Sequence, residues 1–136
     1  MSLVIPDTLE LQTLQRIFTD AMHIRLYGNN VTPVGTSTAA SFTEITGANY
    51  AAFPLTFANW TFTSGDPSFA LYNSTITWLF NAVINAPGTI YGYYIQRDSD
   101  SKLIAAERFP AANVPFLPIA GSQIRILPKF TCQSEF

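Results

Sequence analysis

Charge is what this chain has least of. Asp, Glu, Lys and Arg make up only 12% of its 136 residues, about half the ~25% usual for soluble domains. The net charge is −2 and there is no basic run. The cationic stripe that a phosphate backbone demands is therefore missing, and no nucleic-acid partner is expected. Cysteine is nearly absent: Cys132 stands alone, which excludes an intrachain disulfide and points to synthesis in a reducing cytoplasm. Long hydrophobic runs are missing as well. The longest apolar-rich piece, residues 77–84, is interrupted by Asn81 and falls short of the ~18 residues of a membrane span, so no membrane association is expected. Residues 1–7 carry no basic segment and only a very short apolar run, so no signal peptide is expected.

The scarcity of reactive residues extends to catalysis. A Ser-His-Asp or Cys-His system would have to use His23, the one histidine, which alternates with apolar neighbours in a predicted strand rather than sitting in a motif. One His and one Cys exclude the usual zinc ligand sets. Glu44, Asp66, Asp98, Asp100 and Glu107 are the carboxylates that a glycosidase-like pair would draw on. Asp66 falls in a Gly-Asp-Pro turn, where Asp serves the backbone, and Asp98 and Asp100 fall at a hairpin tip without the frame of an EF-hand loop. No glycine-rich phosphate loop is present. Neither a catalytic residue, a metal site nor a cofactor is expected, and the protein reads as a non-enzyme. Sequons at Asn30, Asn59 and Asn73 are what chance produces in a Ser/Thr-rich chain.

What is present is aromatic and strand-forming. Hydrophobic residues make up 48% and aromatics 14%. A surface left mostly neutral or apolar suits a subunit of an assembly better than a solitary monomer. The length fits one domain, residues 1–136, with a short extended arm over residues 1–6 ending at Pro6. Asp7 with Glu10 three residues on has the capping-box pattern. Leu11, Leu14, Ile17, Phe18 and Ala21 then recur at helical spacing, predicting a helix over about residues 8–20. At Met22 the period shortens to two, giving a strand to Tyr27. Residues 31–46 read as a long loop with room for one short strand. Further strands are predicted within 55–62, 69–72, 75–80 and 122–127, with Pro128 opening a short tail. Seven or eight short strands between turn clusters predict a mainly β chain. Its expected form is an antiparallel β-sandwich, jelly-roll-like, with one short N-terminal helix.

The most informative segment is residues 89–109, two strands joined by the polar turn Asp98-Ser-Asp-Ser101. In the first strand Tyr91, Tyr93 and Ile95 share one face, while Ile90 and Tyr94 share the other with Gly92 between them. A strand with two apolar faces is covered on both. The cover is either the chain's own core or a neighbouring subunit, where Tyr is favoured. Trp60 and Trp78 are open to two readings, core packing or a sugar-stacking platform.

Three pieces in this order carry a resemblance: Leu26-Tyr-Gly-Asn-Asn-Val-Thr-Pro33, Ser41-Phe-Thr-Glu-Ile-Thr-Gly-Ala-Asn-Tyr-Ala51, and Thr89-Ile-Tyr-Gly-Tyr-Tyr-Ile95 with Ala106-Glu-Arg-Phe109. Over about residues 22–130 the chain resembles a loose family of small structural proteins of tailed bacteriophages. The resemblance implies a capsid cement (decoration) protein on the exterior of the virion shell, with the major capsid protein as partner. A tail or neck protein, or a carbohydrate- or receptor-binding β-sandwich module, are the competing readings. Self-association as a dimer or trimer is expected. Val4, Ile5, Trp60, Tyr91, Tyr93 and Ile95 are the expected interface residues, with the arm adding contacts on assembly.

Overall fold

A computed structural model describes residues 5–65 and 67–132; Val4, most of the arm and Asp66 lie outside them. The described residues are mainly β, with three antiparallel sheets and one α-helix. The helix α1 (Asp7–Phe18) is followed by nine strands: β1 (Met22–Tyr27), β2 (Phe53–Leu55), β3 (Trp60–Thr63), β4 (Ser68–Tyr72), β5 (Ile76–Leu79), β6 (Gly92–Arg97), β7 (Leu103–Arg108), β8 (Gln123–Ile126) and β9 (Lys129–Cys132). The sheets run β2-β1-β6-β7, β3-β4-β9 and β5-β8.

The pairing is nested. β4 pairs β9, β5 pairs β8, and β6 pairs β7. Residues 68–132 thus form one long two-stranded ribbon, folded back at the tight turn after Arg97. Between the named strands the ribbon is stitched by Phe80 N–H to Ser122 O at 2.9 Å and by reciprocal bonds between Ile90 and Phe116, both 2.9 Å. β1 and β3 then add as outer partners of β6 and β4. Pro128 does not open a tail: its carbonyl accepts from Tyr72 N–H at 3.0 Å, and β9 follows it as the closing strand of the ribbon. Residues 55–62, expected as a strand or a strand pair, hold parts of two strands: a 3-10 turn, Phe57–Asn59, separates β2 from β3 and sends them into different sheets.

α1 begins one residue earlier than expected. Pro6 is the N-cap and no side chain caps it, so Asp7 is the first helical residue and the capping box is not formed. The buried stripe is Glu10, Leu14 and Phe18, an i, i+4, i+8 row facing β3, β4 and β9. Ile17, expected in the core, is 39% exposed. Glu10 takes the buried place, and among the described residues neither of its carboxylate oxygens has a hydrogen-bond partner. That is a cost the fold offsets elsewhere.

One core joins the helix and all three sheets, with Phe18, Ile24, Trp60, Ile76 and Ile95 among its buried members. A second, smaller cluster lies on the other face of the four-stranded sheet, where Phe42 packs on Tyr27 at 4.8 Å and on Tyr94 at 5.2 Å between ring centroids. Phe42 arrives on the long loop after β1. Asn29 holds that loop closed, donating to Ser41 O at 2.9 Å and accepting from Thr43 N–H at 2.8 Å. A polar clamp follows. Arg25 donates to Glu44 at 2.9 Å, Tyr50 donates to the other Glu44 oxygen at 2.8 Å, and Tyr50 accepts from Leu26 N–H at 3.0 Å. Burial, more than the adjoining carboxylate, pushes the Tyr50 hydroxyl far above its ordinary range, so it stays a neutral donor. The chain's own loop therefore covers the second apolar face of β6.

Candidate interaction surface

Among the described residues His23 and Asp98 are the one arrangement that approaches acid–base geometry. β1 and the end of β6 bring His23 Nδ1 to 2.7 Å from Asp98 Oδ1. A nucleophile for such a pair is not supplied by Cys132, which lies on β9 in another sheet. Among the described residues the other candidate carboxylates have structural partners. Glu44 is held by Arg25 and Tyr50, and Glu107 accepts from the Tyr93 hydroxyl at 2.6 Å. Asp100 accepts from Arg97 Nη2 at 2.7 Å and from Arg97 Nε at 2.9 Å, a two-pronged pair that closes the hairpin turn. Among the described residues no three His, Cys, Asp or Glu side chains form a metal-binding group.

The Arg97 guanidinium, with help from the Lys102 N–H, holds the Asp100 carboxyl down at about 2. A depressed carboxyl contributes stability above its unfolded value and loses that contribution as pH falls through the folded value. Asp100 is therefore expected to titrate near 2 by NMR, and Arg97→Gln to return the midpoint to the ordinary carboxylate range. Both groups are solvent-exposed, so the consequence is a local opening of the turn in acid rather than global unfolding.

The expected interface residues separate into two groups. Trp60 and Ile95 are 5% and 0% exposed and belong to the core. The Trp60 ring packs on Phe18 at 4.3 Å and edge-on against Tyr72 at 5.0 Å, so neither residue has a face left for a neighbour. The sugar-platform reading fails for both tryptophans on the same ground, since Trp78 is 6% exposed and donates Nε1–H to Ala51 O at 2.9 Å. Ile5, Tyr91 and Tyr93 are half-buried. Tyr91 lies under the Arg108 guanidinium, 4.9 Å from its ring centroid, and Tyr93 is tied to Glu107. Val4 lies outside the described residues.

A different surface carries the apolar exposure. In the β5-β8 sheet Ile76, Trp78 and Ile124 turn inward, leaving Thr77, Leu79, Gln123 and Arg125 on the outer face. Leu79 and, past the end of β8, Leu127 are 55% and 50% exposed. Beside Leu79, Phe80 bonds Ser122 O and Gly121 N–H, which fixes the 119–122 turn against it. Ile119 in that turn and Val83 three residues beyond Phe80 are 63% and 67% exposed, and Leu117 is 63% exposed. A groove of about 500 Å³ continues the surface, lined by Phe109, Val114, Pro115, Phe116, Leu117 and Ile124. Arg125 is the one charge on the strands of this face. Residues 67–96 and 109–124 contain no Asp, Glu, Lys or Arg at all. Those two uncharged runs hold the exposed Leu79, Val83, Leu117 and Ile119; the aromatic residues, open in the sequence to core or interface, do not mark the surface.

No helix of the described residues is long and apolar enough to cross a membrane. Comparison with family models, with curated proteins and with solved structures returns no match to this chain.

Proposed function

We propose that this protein is a non-enzymatic structural subunit of a bacteriophage virion, a capsid cement protein that braces the shell by contact with the major capsid protein. The fold in this reading is a jelly-roll-like sandwich. Its support is the nested pairing of β4, β5 and β6 with β9, β8 and β7, the folded-ribbon plan of that architecture. The observation that carries the functional reading is the charge-poor surface around β5 and β8, where Leu79, Val83, Leu117, Ile119 and Leu127 are each exposed and Arg125 is the one charge on the strands. Apolar exposure on one side of a fold suits a contact surface. On a symmetric shell each such contact is repeated many times, and the bracing adds up over the repeats. The sequence resemblance supplies the identity of the partner.

The experiment is addition of purified protein to heads assembled without it. The reading expects saturable binding at a fixed number of copies per particle, with heads that withstand heat or low salt better than bare ones. Absence of binding to heads, with binding to tails or to a host polysaccharide, would refute it.

A further inference from the structure

The outer edge of the four-stranded sheet is unfinished. At one end of that sheet β2 is three residues long and contains Pro54, which blunts it against strand addition. The other end is β7, six residues long. Arg97 N–H bonds Lys102 O and Phe109 N–H bonds Tyr91 O, both at 2.9 Å, so the odd-numbered residues of β6 face β7. The register sets Ile95 opposite Ala105 and Tyr93 opposite Glu107. Ala106 and Arg108 must then turn their N–H and C=O groups away from β6. Among the described residues nothing hydrogen-bonds to either residue's outward backbone groups.

The space beside that edge is shaped for a strand. A groove of about 430 Å³ runs between it and the preceding loop, lined by Pro33, Val34, Gly35, Leu103, Ala105 and Ala106. The small alanines keep it open, and Val34 stands beside it 62% exposed. We propose that β7 pairs antiparallel with β7 of a second copy, about a two-fold axis at Ala106, to make one continuous eight-stranded sheet. Charge selects both partner and register. With Ala106 opposite its own copy, Ala105 faces Glu107, and Arg108 falls beside Ile104, the extra residue of a β7 bulge, so no like charges oppose each other. The alternative two-fold at the other outward residue would set Arg108 against Arg108. Isologous pairing satisfies the edge on both copies at once and brings the two Val34 loops together. This inference stands on the edge geometry and not on the shell role.

The test is sedimentation equilibrium of the isolated protein, together with amide exchange read at high and low concentration. The expected result is a species of twice the 15.0 kDa chain mass, with the Ala106 and Arg108 amides protected when concentrated and exchanging freely on dilution. Ala106→Pro removes only an outward N–H, so it should return the protein to monomer with its circular dichroism unchanged. The amide readout decides the matter if that variant fails to fold. A monomer at every concentration, a trimer, or a dimer whose Ala106 and Arg108 amides exchange freely would each overturn the proposal. A monomer that protects these amides only when an extended peptide from another protein is added would also overturn it, by assigning the edge to that partner.

Discussion

Replacing Gly92 by alanine is expected to destabilise the protein by about 3 kcal/mol or more, well beyond an ordinary single-methyl change. The backbone there is not left-handed, so alanine suits the local conformation; the obstacle is space. A β-carbon would overlap the carbonyl oxygen of Glu107 on β7 and would approach Tyr27 Oη to 2.7 Å and Tyr27 Cε1 to 2.8 Å. Tyr27 is itself fixed, fully buried between Phe42 and the sheet and donating its hydroxyl to Val31 O at 3.1 Å. Neither neighbour can yield without opening the β6-β7 ladder or the loop cluster. A fall in Tm of about 10 °C follows for a chain of this size. Adding Tyr27→Phe to Gly92→Ala should recover only part of the loss, because the clash with the β7 backbone remains. Thermal unfolding with Tm unchanged in Gly92→Ala would show that β1, β6 and β7 are not packed as described.

Trp60→Ala is expected to cost about 3–5 kcal/mol in urea denaturation, the usual range for emptying a buried aromatic site. Its ring is where α1 meets the three-stranded sheet, stacked near Phe18 and edge-on to Tyr72 and Phe130. Trp60→Phe should cost far less, below about 1.5 kcal/mol. The indole N–H is buried without a hydrogen-bond partner, so its removal relieves a desolvation cost that offsets part of the lost area. The two variants separate a core role from an interface role. Were Trp60 a contact residue, Trp60→Ala would leave the urea midpoint near wild type and weaken assembly instead.

The periodic parts of this fold were legible in the sequence. The change from helical spacing to alternation at Met22 marks the start of β1, although α1 stops at Phe18, short of residue 20; the two-sided apolar strand is covered on both faces as expected, but ahead of β6 Ile90 packs with Ile95 and Tyr91 with Tyr94, the reverse of the expected faces. What patterning does not encode is which cover is used. Phe42 reaches Tyr94 from a loop rich in Thr, Ser and Gly whose path depends on Asn29 and the Arg25–Glu44–Tyr50 clamp. Those are long-range contacts between residues that look like ordinary polar positions. The same limit hid β9. Lys129–Cys132 is short, follows a proline, and becomes a strand because the ribbon supplies β4 as a partner. Helical spacing put Ile17 in the core and left Glu10 out; the angle at which α1 lies on β3, β4 and β9 reversed both. Trp60 and Ile95, expected at an interface, are buried in the core instead, because a large apolar side chain fills a core as readily as a contact. Trp60 and Trp78 are core residues, while the exposed Leu79, Val83, Leu117 and Ile119 fall within the long uncharged runs.

The central claim is that this face holds the protein to a shell. The most direct measurement is the number of copies bound per head at saturation, for wild type and for a Leu79→Lys, Ile119→Lys double variant at matched concentrations. Both changes fall on exposed side chains, so Tm should stay within a few degrees of wild type. The account predicts a fixed, saturable copy number for wild type and an apparent affinity lower by about tenfold or more for the variant, the effect of placing two charges in an apolar contact. Equal occupancy by the two proteins, or no occupancy by either, would contradict it.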